Sequence, residues 1–315
     1  MATPFSDFKG GANQPVTTET ERFLTASDGM RLVYWLRRSD AAASDRVLLL
    51  LHGAASNHTR WSEFVEHTRL VGTWSMLRPD LRGNGASQSR SRQNLAVWCD
   101  DLHAILAVER FSSTVVIGHS LGAQIAVHLA HRYPDDVHGL VLIDPVFQRG
   151  LRGRPRGFRR YRRLFGCLTN VILGLNRIGL RRSEFPYRDL RSLDAETREA
   201  LSGDEPFEEI ARRYSALGPI LKYMPTANYL RQALATVSPL PPPDEIPMPV
   251  LVLLSSGITF AELAINREEA AAFPDSEVTL LDANHWPLTE TPDAVREVIE
   301  RWLDRRFPTR TVGSA

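Results

Sequence analysis

The strongest constraint on how this chain can fold is an alternation along its length. Six short apolar runs recur, RVLLLLHG (46–53), TWSMLRPD (73–80), TVVIGHS (114–120), VHGLVLIDP (137–145), PVLVLLSS (249–256) and EVTLLDA (277–283). Between or after them lie stretches with helical periodicity, among them AVWCDDLHAILAVER (96–110), LGAQIAVHLAHRY (121–133), AELAINREEAAAF (261–273) and PDAVREVIERWLDRRF (292–307). Runs this apolar suit strands covered on both faces. Strands joined through helices run mostly parallel, because the crossover helix carries the chain back before the next strand begins. The expectation is an α/β fold with a doubly wound, mostly parallel sheet. Ahead of it, ERFLTASDGMRLVYWLRR alternates on either side of Asp28-Gly29, which predicts a hairpin.

The rhythm breaks after the sixth strand. From Phe147 to Glu245 the text is helical and rich in arginine, and it closes with the stiff connector PLPPPDEIPMP (239–249). Between Gln148 and Ile246 there are 18 Lys+Arg against 11 Asp+Glu, or +7, which leaves −6 elsewhere in a chain of net charge +1. An excursion between two sheet strands lands over their C-terminal ends, where open parallel sheets bind ligands, so it reads as a helical cap, or lid. The expected organisation is a flexible tail over 1–20, a core formed by 21–146 and 247–307, a cap over 147–246, and a C-terminal tail over 308–315.

Composition narrows the class. Hydrophobic residues make up 43% and charged residues 24%, as in a globular protein. No apolar run reaches the roughly 18 residues of a transmembrane helix. The N-terminus lacks the apolar segment of a secretory signal, which points to a cytoplasmic chain. Cys99 and Cys167 are too few for a disulfide framework or a paired-cysteine metal site, and both are expected to be buried and inert. The run QRGLRGRPRGFRRYRR (148–163) carries eight arginines. It has few aromatics for stacking bases, which argues against nucleic acid. A solvated lid helix balanced by the acidic stretch after it is the simpler reading, with a peripheral membrane contact or a substrate carboxylate as alternatives. Apolar residues such as Leu168, Val171, Ile172, Leu173, Tyr214, Leu217, Ile220, Leu221, Tyr223 and Met224 would wall a pocket or form the lid's own core.

The chemistry is concentrated in VVIGHSLGAQ. Gly118-His119-Ser120-Leu121-Gly122 is a G-x-S-x-G placed after a strand and at the start of a helix. A serine there sits on a strained turn, and a Cβ at either flanking glycine would meet neighbouring backbone. The turn lifts the hydroxyl to the positive end of the helix and leaves the Leu121 N–H facing a developing oxyanion.

With that motif in place, residues 20–146 and 247–307 resemble the α/β-hydrolase superfamily. LLLHGAASNH resembles its oxyanion loop, which implies the Ala54 N–H as a second oxyanion donor. RPDLRGNGAS (78–87) resembles a loop whose Asp80 and Arg82 are structural. ANHWPLTETP (283–292) resembles the loop that delivers the catalytic histidine, here His285. Elimination agrees: His119 lies in the turn, His52 in the oxyanion loop, and His103, His128 and His131 on helices, whereas His285 follows the last strand.

A serine and a histidine need an acid to orient the imidazole. In most members of the family it follows the seventh strand, a position that falls near Ile258 and is vacant. Some members, including certain lactonases and dehalogenases, place it after the sixth strand, which implies Asp144 in LVLIDPVF. Asp144 is the preferred candidate. Glu262 is the alternative, although a first-turn acid also suits a helix dipole. Asp282 is third and close in sequence to His285.

The resemblance thus implies a serine hydrolase that cleaves a carboxylic ester or lactone through Ser120, His285 and Asp144, with Ala54 and Leu121 holding the oxyanion. It implies no metal and no organic cofactor. A carbon–carbon bond hydrolase or thioesterase on the same residues is an alternative, and so is a pseudo-hydrolase that binds a ligand without turnover. The serine argues against epoxide hydrolases and haloalkane dehalogenases, whose nucleophile is aspartate.

Overall fold

The computed structural model describes residues 19–41, 45–203, 209, 216–257 and 261–308. The expected tails therefore lie outside the described residues, except that Glu19 and Thr20 open the first strand and Pro308 is exposed. Eight strands form one sheet: β1 (Glu19–Thr25), β2 (Arg31–Arg37), β3 (Arg46–Leu51), β4 (Ser75–Pro79), β5 (Ser113–His119), β6 (Gly139–Ile143), β7 (Val250–Ser255) and β8 (Ser276–Leu281). Their order is β1-β2-β4-β3-β5-β6-β7-β8. The pairs β1/β2 and β2/β4 are antiparallel and all the others parallel. The hairpin turn at Asp28-Gly29 is where the alternation placed it, with Gly29 at φ +80°.

Strands β3 to β7 are almost wholly buried because helices cover both faces. One face packs on α2 (Leu95–Glu109) and α3 (Leu121–Arg132), through Leu49, Val116, Leu102 and Ile125 among others. The other packs on α1 (Ser62–His67) and the last helix, Pro292–Arg306, through Leu48, Ile117, Phe64, Trp61 and Trp302. Apolar residues alternate between these two clusters along each strand, so a single strand seals two layers.

Among the described residues five helices lie between β6 and β7, in the insertion after strand six: α4 (Gly153–Arg160), α5 (Arg162–Arg177), α6 (Leu190–Ser202), α7 (Leu217–Tyr223) and α8 (Thr226–Thr236). Three further helices complete the described chain: α9 (Leu263–Ala270), α10 (Pro287–Glu290) and α11, the last helix already described. The helix expected from Ala261 begins two residues later. Leu151 of the insertion bridges to Ala261 instead, and Glu262 is extended.

Buried polar groups tie the insertion to the sheet. The Asn57 amide donates to the Arg188 carbonyl at 2.6 Å, and Thr59 Oγ1 accepts from Leu190 N at 3.0 Å. Gln232 accepts from Ala55 N at 2.8 Å and donates to Asn84 Oδ1 at 3.1 Å. Arg60, after β3, bonds Asp194 of α6 and Thr289 of α10, the latter at 2.7 Å. No described helix is long and apolar enough to cross a membrane. Of the two cysteines, Cys99 is buried and its thiol is pushed up to about 12 by burial, whereas Cys167 is exposed on α5, against expectation.

Arg82 does what the resemblance implied. Its side chain is 2% exposed and forms a bidentate pair with Asp101 of α2, at 2.7 and 2.6 Å, while also binding Asp28 of the hairpin turn. Removing one partner of a buried pair leaves a charge with no compensation. Arg82→Met should therefore lower the unfolding free energy by about 3–5 kcal/mol at neutral pH. Adding Asp101→Asn should return part of that loss, and additivity of the two changes in urea denaturation would contradict this account.

Candidate active site

Ser120 sits between the end of β5 and the start of α3 with φ 53° and ψ −111°, a left-handed conformation that a side chain rarely adopts. The flanking glycines explain how it is tolerated. A Cβ on Gly118 would lie 2.3 Å from the Gly122 carbonyl oxygen, and one on Gly122 would lie 2.3 Å from the Leu51 carbonyl oxygen. The helix can approach β3 and β5 this closely only without those carbons. The turn is further held by the Ser120 N–H, which donates to the Ile143 carbonyl at 2.9 Å.

Ser120 opens onto a cavity of about 500 Å³ between the sheet's C-terminal ends and the insertion. Gly53, Ala54, His119, His285 and Trp286 line it from the core, and Phe158, Leu190, Ile220 and Tyr229 from the insertion. Of the apolar cap residues expected to wall it, Ile220 does. Leu168, Val171 and Leu217 are exposed instead, and Tyr214 lies outside the described residues. Among the described residues no carboxylate lines the cavity, whereas Arg60, Arg154 and Arg188 do. The Ala54 residue borders it directly. Leu121 is fully buried and does not line it; only its backbone N–H, at the first position of α3 and so without a helical acceptor, is available to the site.

His285 lies in the loop between β8 and α10. Its Nδ1 is 3.7 Å from Asp144 Oδ2. Asp144 follows β6 directly, at φ 44°, and its position is set by sheet register: Ile143 pairs with Leu253, and the Asp144 N–H donates to the Leu253 carbonyl at 2.9 Å. That places its carboxylate against Ser255 at the end of β7, whose N–H and hydroxyl donate to it at 2.8 and 2.6 Å. Glu262 is held by Arg152 at 2.7 Å, on the insertion side, and Asp282 is exposed. Ile258 lies outside the described residues.

Three supporting residues were not singled out from the sequence. Ser255 is one, the last residue of β7. His119 donates from Nε2 to the His285 carbonyl at 3.0 Å. Glu290 accepts from Asn284 N, Asn284 Nδ2 and Trp286 N at 2.8, 2.9 and 3.0 Å, bracing the loop on both sides of His285. Only a spacing of four to six residues hinted at that brace. His52 is structural. It accepts from Leu81 N at 3.1 Å and contacts its own chain at Gly53 O.

Burial dominates the electrostatics. It pushes the His285 imidazole down to about 3, helped by nearby His119, and lowers His119 itself to about 4. It raises the Asp144 carboxyl to about 7, against the two Ser255 hydrogen bonds and with a small push from Glu290. At neutral pH the imidazole is thus unprotonated, the state a general base requires, and the carboxyl lies at its midpoint.

A model of the Alpha/beta hydrolase family matches residues 48–298. The chain belongs to that family. As an alpha/beta hydrolase it is 31% identical over 115 residues to the uncharacterized protein Rv2715 of Mycobacterium tuberculosis, a stretch covering 36% of this chain and 33% of that one. The match thus spans about a third of the length of such curated relatives. Among solved structures it is similar to a thermophilic esterase from Thermogutta terrifontis, at 22% identity and a TM-score of 0.63, with 91% of this chain and 98% of that chain covered. It is similar also to the enol-lactonase from Burkholderia xenovorans, at 18% identity and a TM-score of 0.64, with 90% and 99% covered. These likenesses establish the fold of this alpha/beta hydrolase.

The facing pair gives a pH signature that needs no substrate. Between about pH 4 and 6.5 the folded pair holds its proton on Asp144 and the unfolded chain holds one on the imidazole, so the two contributions cancel. In His285→Gln only the raised carboxyl remains, and stability relative to wild type should fall as pH rises from about 4 to 7. In Asp144→Asn only the depressed imidazole remains, and stability should fall as pH drops from about 6.5 towards 3. Each slope should approach about 1.4 kcal/mol per pH unit. Urea midpoints across this range test it, and slopes of the same sign in both variants would refute the assignment.

Proposed function

We propose that this alpha/beta hydrolase is a serine hydrolase that cleaves a carboxylic ester or lactone by acyl transfer. The observation that carries the reading is that a strained Ser120 and a buried His285 line one cavity, with Asp144 at 3.7 Å from the His285 Nδ1. Ser120 Oγ attacks the carbonyl carbon as His285 takes its proton. The tetrahedral oxyanion is held by the Ala54 and Leu121 N–H groups. The intermediate collapses with loss of the alcohol, which receives the proton from His285, and water then releases the acid by the same steps in reverse. Asp144, once ionised, stabilises the imidazolium formed at each transfer. Its distance from His285 exceeds a hydrogen bond, and such contacts tighten when substrate fills the site. Arg154 and Arg188 in the wall, which make no ion pair among the described residues, favour substrates that carry a negative charge away from the reacting carbonyl.

A fluorophosphonate probe should label the wild-type protein and not Ser120→Ala. A panel of p-nitrophenyl esters and lactones should show turnover, cut by about 10³–10⁴ in kcat in Asp144→Asn and nearly unchanged in Glu262→Gln. The opposite pattern would transfer the acid to Glu262. An unlabelled wild type with ligand binding intact would favour the pseudo-hydrolase, and turnover of thioesters or carbon–carbon substrates alone would favour the other hydrolytic class.

The Asp144 ionisation sets a second expectation. Activity should rise with pH through about 7, because only the carboxylate steadies the imidazolium. Ser255→Ala removes a donor to the charged form, so this limb should move to higher pH while the plateau activity changes less. A limb that stays in place would remove Ser255 from the mechanism.

A further inference from the structure

Helix α5 is apolar on two faces. Phe165, Ile172 and Leu173 are partly covered, with Thr169 buried among them, on the side towards the rest of the insertion. On the other side Leu164, Leu168, Val171, Leu175 and Ile178 stand 65%, 44%, 59%, 43% and 74% exposed. Their spacing of four, three, four and three residues draws one continuous stripe along the helix. A helix apolar all round belongs in a core or against a partner, and a contiguous apolar patch on a surface marks a docking site.

The charge around the stripe says what it docks on. From residue 145 to 183 the sequence has eleven arginines and no aspartate or glutamate. Acidic residues elsewhere take only some of them: Arg149 pairs with Glu268 and Glu269, and Arg152 with Glu262. Arg154, Arg156, Arg162, Arg163, Arg177 and Arg181 make no ion pair among the described residues. Nor does helix stability explain them. Arg162 and Arg163 occupy the first turn of α5, which has no acid, where the helix dipole disfavours cations. Of the acidic stretch expected to balance this run, DAETREALSGDEPFEE (194–209), Asp194 is engaged by Arg60, and residues 204–208 lie outside the described residues.

We propose that α4 and α5 form a peripheral docking surface for an anionic lipid bilayer, the stripe entering the interface and the arginines meeting the headgroups. Basic amphipathic helices bind membranes by this combination of buried apolar area and electrostatic attraction. A second copy of the chain is a poorer occupant, since two such segments pressed together would bring two clusters of like charge into contact. The docking surface adjoins the cavity, because Arg154, Pro155 and Phe158 of α4 line it and α4 runs straight into α5. The proposal does not rest on the chemistry assigned to Ser120.

The test is co-sedimentation of the full chain with vesicles, with hydrolysis of a soluble short-chain ester and the thermal midpoint measured in parallel. Wild type and Ser120→Ala should both bind vesicles of phosphatidylcholine with about 30 mol% phosphatidylglycerol, lose most binding at about 1 M salt, and bind pure phosphatidylcholine at least tenfold less. Leu168→Asp/Val171→Asp and Arg162→Glu/Arg163→Glu should each weaken partition at least tenfold with the thermal midpoint and soluble-ester turnover unchanged. The second pair places acids where the α5 dipole favours them, so lost binding there does not reflect a lost helix. Wild type that ignores anionic vesicles, equal binding to neutral ones, or variants that bind like wild type would each overturn the proposal. So would light scattering that shows a wild-type dimer, without vesicle binding, which Leu168→Asp/Val171→Asp converts to monomer.

Discussion

Everything in the site depends on how closely α3 approaches the sheet. With hydrogen at Gly118 and Gly122, the helix rests its backbone on the Leu51 carbonyl, and the chain between strand and helix has no room to turn except through a left-handed residue. Ser120 is that residue. Strain of this kind persists because the buried strands on either side over-determine the turn. The same approach sets the first amide of α3 next to Ser120, so one packing decision supplies both groups on which the proposed acyl transfer draws.

Asp144 is governed by a different constraint, the register between β6 and β7. A one-residue slip would turn every side chain at those strand ends to the other face. In the observed register Asp144 leaves β6 opposite the end of β7, and Ser255 stands where its N–H and hydroxyl both reach the carboxylate. Strand seven thus contributes two donors to the Asp144 carboxylate. Below about pH 7 burial then holds Asp144 and His285 in neutral forms, a resting state in which the pair bears no net charge and costs less to keep out of water than an ion pair.

The insertion has two unlike sides. Facing the core it is tied by buried hydrogen bonds, and Arg60 joins the loop after β3, helix α6 and the histidine loop's helix α10 in one cluster. Facing solvent it carries an apolar stripe and arginines that make no ion pair among the described residues, the composition of an interface. The exposed Cys167 lies on this outer helix as well, which is why compositional reasoning that treats a lone cysteine as a buried thiol failed there.

Local pattern determined much of this protein. Periodicity placed the strands and helices to within a few residues, Asp28-Gly29 marked the hairpin, and G-x-S-x-G marked the strained turn, because each follows from backbone sterics acting over a handful of residues. The break in rhythm after strand six likewise announced the cap. Only the tertiary structure decided which groups meet across distance. Ser255 against Asp144, His119 beneath His285 and Arg60 between three elements depend on register and packing, which no local spacing encodes. The two sides of α5 show the same limit. Its sequence states that both are apolar, and only the packing of the other helices determined which side is covered and which is left to the solvent.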